Sequence, residues 1–218
     1  MIEPYYSSDG ITIYHGDCRD VLPYVQADVV VTDPPYGIGK AEWDDVFPAW
    51  FISLALKAAP KMAMIIGPAA LPQVFANLNG SYKDMLALYA VNGMTHGRLC
   101  FGNYTPVVLA GEWKKKAVQS VIKFSVNPGL EQVRGHPTPK PLQAMYKLCK
   151  DWTDEYETIL DPFMGSGTTL VAAKRLGRKA IGIEIEEKYC EIAVKRLAQT
   201  ELFAAPPEPE QPKQLELA

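Results

Sequence analysis

The 218-residue chain lacks any long apolar run: its longest apolar stretch, Met62 to Pro72, is interrupted by Gly67 and Pro68. That stretch is far too short to cross a bilayer, so no membrane role is expected. No N-terminal segment pairs a basic region with an apolar one, so export is not expected either. Cysteine is scarce: Cys18, Cys100, Cys149 and Cys190 are scattered, with no CxxC spacing and no Cys/His cluster. This argues against a zinc site, implies no metal, and points to a reducing compartment, so a cytoplasmic location is expected. There is no internal repeat. What remains, 48% hydrophobic and 22% charged residues, is ordinary for one sizeable α/β domain with little left for a second.

The net charge is only −3, but it is unevenly spread. Glu112 to Lys150 holds eight basic residues against Glu112 and Glu131, a local charge of +6 that leaves −9 on the rest. A basic stripe on an acidic body can hold a phosphate backbone, which makes Lys114, Lys115, Lys116, Lys123 and Arg134 candidate nucleic-acid contacts. A run such as Lys114 to Lys116 also reads as a solvated face.

Short apolar strands alternate with helical patterns. Ile11 to Tyr14, Asp28 to Thr32, Lys61 to Gly67, Met85 to Val91, Pro106 to Gly111, Thr158 to Leu160 and Ala180 to Ile185 read as strands. Asp28 to Thr32 is continuously apolar, as a strand buried on both faces requires. Cys18 to Tyr24, Pro48 to Ala59, Leu71 to Leu78, Pro139 to Trp152, Thr168 to Leu176 and Glu187 to Gln199 read as helices. The alternation predicts a mostly parallel sheet with helices on both faces. Residues 1–203 read as a single domain, with 112–135 as a short insertion without strong periodicity. Residues 204–218, rich in Pro, Glu and Gln, read as a disordered tail.

Two loops at predicted strand ends carry the chemistry. Asp33-Pro34-Pro35-Tyr36 follows a buried strand, where ligands of open α/β sheets bind. The prolines stiffen the backbone and leave carbonyl acceptors only. With the Asp33 carboxylate they can accept the two N–H bonds of an exocyclic base amine and stabilise the positive charge it gains on methylation. Tyr36 offers a face on which a flipped base can stack. The second loop, Asp161-Pro162-Phe163-Met164-Gly165-Ser166-Gly167-Thr168, opens a helix but is neither GxGxxG nor a P-loop. Glu184 lies 17 residues after Gly167 at the end of the next strand, placed to accept from both hydroxyls of a ribose. The pair suggests a nucleoside cofactor without a pyrophosphate.

Together these motifs resemble the DNA amino-methyltransferases. His136-Pro137-Thr138-Pro139-Lys140-Pro141 resembles a third segment of that family, with Pro139 in place of the usual Gln, and Gly16-Asp17 fits as well. Because the catalytic loop precedes the cofactor loop, the order resembles the permuted beta class. The resemblance implies a Rossmann-like methyltransferase fold dependent on S-adenosylmethionine, with a C-terminal antiparallel hairpin element. It implies that Phe163, Gly165, Ser166, Gly167 and Thr168 wrap the cofactor, after Asp161 at the strand end. Glu184 would hold the ribose, Asp17 would lie near the adenosine, and Lys140 with His136 would sit near the methionine carboxylate. Asp17 reads equally well as a helix cap, and Trp43 and Tyr104 as packed residues rather than DNA-stacking ones. The expected activity is methylation of adenine N6 in DNA. Cytosine N4, an RNA or protein amine, and a silent DNA-binding relative are the alternatives. Residues 112–135 are short for target recognition, so either the target is short, specificity is loose, or a second subunit, as in a homodimer, contributes.

Overall fold

The computed structural model describes residues 2–36, 47–92, 95–96, 101–114, 117–126 and 140–199. The chain begins with a hairpin, β1 (Tyr6–Ser8) and β2 (Ile11–His15), turned by Asp9 and Gly10 at φ 49° and 76°. A two-residue turn of this hand matches the twist of its strands. There follow α1 (Cys18–Val21), β3 (Val29–Thr32), α2 (Phe51–Ala58), β4 (Lys61–Ile65), α3 (Leu71–Asn77) and β5 (Tyr82–Ala90). A two-residue ribbon, β6 (Thr95–His96) with β7 (Phe101–Gly102), leads to β8 (Tyr104–Gly111) and β9 (Val121–Phe124). The rest is α4 (Leu142–Trp152), β10 (Thr158–Asp161), α5 (Thr168–Arg175), β11 (Lys179–Glu184) and α6 (Glu187–Gln199).

The main sheet runs β1-β2-β11-β10-β3-β4-β8-β5-β9. From β2 to β4 its strands are parallel. Side-chain alternation explains why Val29 to Thr32 could read as one apolar run: Val29 and Val31 join one buried layer, Val30 the other. The first layer is closed by Met145 and Leu148 of α4, Leu170 and Ala172 of α5, and Ala193 and Leu197 of α6. The second is closed by Phe51 and Ile52 of α2 and Val74 of α3. At the end of α4, the buried Arg178 guanidinium donates to the carbonyls of Cys149 (2.7 Å), Thr153 (2.9 Å) and Asp154 (3.1 Å), which fixes the turn into β10. Among the described residues no helix is long and apolar enough to cross a membrane.

Two expectations change. Among the described residues the antiparallel pairing lies in the N-terminal hairpin and mid-chain, where β8 runs antiparallel to both β4 and β5, whereas β10 and β11 after α4 are parallel. The chain opens in the β10 half with β1 and β2, completes the β3 half from β3 to β9 with its antiparallel strands, and then returns to add β10 and β11. Residues 112–135 are also not all insertion. Val121 to Phe124 forms the edge strand β9, parallel to β5, with Ile122 and Phe124 buried and Val121 and Lys123 exposed. The expected tail, 204–218, lies outside the described residues.

Candidate active site

Strand order reverses between β10 and β3. From β10 the chain crosses through α5 to β11 on one side; from β3 it crosses through α2 to β4 on the other. Such a switch point leaves a crevice outside the carboxyl ends of the strands. Here the two ends are joined by a buried bond, Thr32 Oγ1 donating to Asp161 Oδ1 at 2.7 Å. A cavity of about 300 Å³ opens above them.

The glycine-rich loop after β10 is held by Glu184, which lines the cavity, and by Arg196, which does not. Gly165 N–H donates to Glu184 Oε2 and Glu186 N–H to Glu184 Oε1, both at 2.9 Å. Burial raises the Glu184 carboxyl above its usual range, and these two N–H donors draw it part of the way back. Each oxygen keeps a lone pair for a ligand hydroxyl. From beneath, Arg196 of α6 donates to Ser166 O (2.6 Å), Ser166 Oγ (3.1 Å) and Thr168 Oγ1 (3.0 Å). Burial, with Arg175 nearby, lowers the Arg196 guanidinium to about 10, so it stays charged. Gly167, at φ 77°, does not line the cavity; a Cβ there would lie 2.7 Å from Ala193 Cβ, so this glycine lets α6 seat against the loop.

Asp161 is fully buried, and desolvation pushes its carboxyl up to about 6, against the pull of the Thr169 and Thr32 hydroxyls and the Phe163 N–H. Phe163 stands edge-on to Phe51, ring centroids 5.0 Å apart.

The loop after β3 is held differently. Tyr36 OH donates to Asp33 Oδ1 at 2.6 Å, Lys140 Nζ pairs with Asp33 Oδ2 at 2.6 Å, and the same ammonium sits 5.0 Å from the centre of the Tyr36 ring. That ring also packs against Gly67, where a Cβ would lie 2.9 Å from Tyr36 Cδ2.

The expected residues converge. Asp17, Asp33, Pro34, Pro35, Tyr36, Lys140, Asp161, Phe163, Gly165, Ser166, Thr168 and Glu184 all line this cavity. Asp17 also caps α1, accepting from Arg19 N–H at 2.8 Å and pairing with the Arg19 guanidinium, which lies 5.4 Å from the centre of the Trp50 ring. The cavity also includes Cys18, whose thiol burial and the Asp17 charge push up to about 12, far from a nucleophilic thiolate. His136, Lys115, Lys116, Arg134 and Trp43 lie outside the described residues. Tyr104 is exposed at the start of β8. Lys123 and Lys114 are both exposed but far apart. Lys123 is near the carboxyl end of β9, which runs in the same direction as β4, whereas Lys114 follows Gly111, paired with Lys61 at the opposite rim of the sheet. The two described lysines of the basic stripe read from the sequence therefore stand at opposite rims. Thr32, Gly67, Thr169 and Arg196 were not singled out from sequence. Only Gly67, a glycine at a strand end, had a local signal; Arg196 is 30 residues from Ser166.

A doubly wound sheet with a ribose-competent socket beside an Asp-Pro-Pro-Tyr acceptor set defines a class: a methyltransferase acting on an exocyclic amine. A family model described as DNA methylase, of the N6/N4 type, matches residues 71–195, and the chain belongs to that family. The type II methyltransferase M2.LlaDCHI of Lactococcus lactis subsp. cremoris is 28% identical over 259 aligned positions, covering 90% of this chain and 93% of the relative. DNA adenine methyltransferase YhdJ of Escherichia coli (strain K12) is 23% identical, covering 92% of this chain and 87% of the relative. A solved complex of M1.HpyAVI with S-adenosylmethionine matches at TM-score 0.70 and 28% identity, covering 86% of this chain and 98% of that one.

Proposed function

We propose that this chain transfers the methyl group of S-adenosylmethionine to the exocyclic amine of a DNA base flipped into the cavity, adenine N6 being the acceptor. The observation that carries this reading is that the Asp33–Tyr36 acceptor set and the Glu184-braced loop open into one cavity. The residues fit a nucleoside with a charged amino-acid tail. Glu184 offers ribose hydroxyls its free lone pairs, Phe163 an aromatic edge, and Lys140 a cation for a carboxylate. Asp17 stands near the adenosine, the backbone of Gly165, Ser166 and Thr168 wraps the cofactor, and Asp161 and Gly167 shape the loop. His136 would complete the carboxylate end.

When bound, the cofactor supplies a sulfonium-activated methyl group. Asp33 and a carbonyl of Pro34 or Pro35 accept the two N–H bonds of the target amine, and Tyr36 stacks on the base. These acceptors favour the nitrogen geometry that attacks and stabilise its developing charge. Asp33 need not be a strong base, because the alkylated nitrogen is itself acidic. Asp-Pro-Pro-Tyr and the likeness to an adenine methyltransferase support adenine; the family model spans both N6 and N4 acceptors, so cytosine N4 is the second reading. Lys114 and Lys123 are the described candidate phosphate contacts, Lys123 standing on the cavity's side of the sheet. The reading extends to a homodimer in the cytoplasm, near the nucleoid, testable by sedimentation and fractionation.

The test is base-resolved. Protein is incubated with tritium-methyl S-adenosylmethionine and unmethylated genomic DNA, with RNA in parallel, and the products are digested to nucleosides. Label in N6-methyladenine is expected. Label in N4-methylcytosine changes the base and keeps the mechanism, label only in RNA moves the substrate class, and no label with cofactor bound rejects the activity.

A further inference from the structure

Four carboxylates line the cavity, Asp17, Asp33, Asp161 and Glu184, and among the described lining residues Lys140 is the only cation. Three of the four are satisfied without Lys140. Asp17 is paired with Arg19, Asp161 accepts from Thr32 and the Phe163 N–H, and Glu184 accepts from Gly165 and Glu186. Asp33 is different: its two oxygens are taken by Tyr36 OH and by Lys140, each at 2.6 Å, in a pair whose side chains are only 23% and 24% exposed. This arrangement is wrong for the chemistry in one respect. An ammonium on Asp33 opposes a second positive charge growing on the target amine beside it, and opposes it more strongly than at a surface because the pair is partly desolvated. A ligand carboxylate entering the cavity meets the converse problem, since the one cation among the described lining residues that it can pair with is already held by Asp33.

We infer that Lys140 is shared between Asp33 and the carboxylate of the cofactor, so that loading the cofactor draws Lys140 away and releases Asp33 to accept the target amine. Lys140 is then a positioning residue that couples the two halves of the site and orders binding, cofactor before base. An Nζ with three donors and a flexible stem suits such an exchange, as a planar guanidinium would not. The inference rests on the methyltransferase reading above.

The experiment needs no DNA. S-adenosylhomocysteine, which keeps the carboxylate and lacks the sulfonium charge, is titrated calorimetrically into wild type, Asp33→Asn, Lys140→Met and the double variant, with Lys140→Gln as a second probe of that position. Competition for Lys140 predicts an unusual sign: removing the Asp33 charge tightens the ligand about fivefold or more, the lower end of usual site-to-site coupling. Lys140→Met and Lys140→Gln weaken it by a similar factor, and in the Lys140→Met background Asp33→Asn changes nothing. 5′-Methylthioadenosine, which has neither the carboxylate nor the ammonium of that tail, binds all five proteins alike. Unchanged or weaker binding by Asp33→Asn overturns the inference, and so does a gain that survives in Lys140→Met, which would be plain repulsion. If wild type itself fails to bind S-adenosylhomocysteine, the methyltransferase reading falls with it, an outcome distinct from the others. Melting curves of each variant verify that folded protein is titrated.

Discussion

The loops after β10 and β3 stand side by side at one switch point and are built on opposite plans. The glycine-rich loop is braced from below and behind by Arg196 and Glu184, on α6 and β11, so its shape does not depend on a ligand. The Asp33 loop is held by groups that line the cavity: Tyr36 and Lys140 hold the carboxylate that, in the function proposed, later takes the amine of a base. Electrostatic stabilisation of a transition state depends on groups oriented beforehand. A cofactor socket can be permanent because it binds the same molecule each turn. An acceptor site that must take in a flipped base and let it go gains from contacts that can be exchanged.

The largest effect should separate these plans cleanly. Asp33→Ala is expected to lower turnover about 10²- to 10³-fold, the loss of one preorganised charge-stabilising group, without weakening cofactor binding. Single-turnover methylation and cofactor titration on the same preparation check it. Near-normal turnover would remove Asp33 from the chemistry, and a parallel loss of cofactor affinity would mean that the two loops are one unit.

Asp161 is where the two plans touch, since it begins the glycine-rich loop and holds the last residue of β3. Burial lifts its carboxyl to about 6, above an unfolded value near 3.9. The folded state thus binds the proton more tightly. The stability this contributes is complete below about pH 4 and is lost as pH rises through about 6, a change on the order of 3 kcal/mol. Asp161→Asn should remove that component. Urea midpoints of wild type, measured from pH 4 to 8, should fall relative to the variant. A constant difference across that range would show that Asp161 does not titrate there.

A smaller effect tests the brace alone. Arg196→Met leaves the Ser166 carbonyl and two hydroxyls without their donor, and unsatisfied buried groups cost about 1–3 kcal/mol. Cofactor affinity is expected to fall about tenfold, for a loss of about 1.4 kcal/mol, with turnover at saturating cofactor preserved. Normal affinity would show that the loop holds its shape unaided.

The same contrast explains what could be read from the sequence. The socket was legible because its parts are close in sequence: the loop, its helix and Glu184 fall within one strand-helix-strand unit, and two apolar strands with a helix between them are a strong pattern. The acceptor loop was legible because Asp33 to Tyr36 is contiguous. The supports were not. Arg196 reads as an ordinary charge on an amphipathic helix, and the Lys140–Asp33 pair spans 107 positions. The edge strand β9 was missed because four residues, Val-Ile-Lys-Phe, carry too little alternation to stand out beside loops. The turn signal of Asp9-Gly10, by contrast, was present and unused.

The smallest predicted effect concerns the basic segment, which looked uniform in sequence and is divided in the fold. β8 carries the chain across the sheet from Tyr104, on the cavity's rim, to Gly111 on the other, a span of about 25 Å for a strand of this length. Lys114 lies just beyond that far end, whereas Lys123 is opposite Tyr89 on β5, itself opposite Tyr104, on the near rim. A duplex presenting a base to the cavity can reach Lys123 more readily than Lys114. Each phosphate contact contributes about 0.9 to the slope of log affinity against log salt. Lys123→Ala should therefore flatten the slope for an unmethylated duplex by about that amount, and Lys114→Ala should leave it unchanged. Equal flattening by both would mean that DNA wraps past the rim and that the segment works as one surface after all. No change from either would assign both lysines to a solvated face, and leave DNA contact to other parts of the protein.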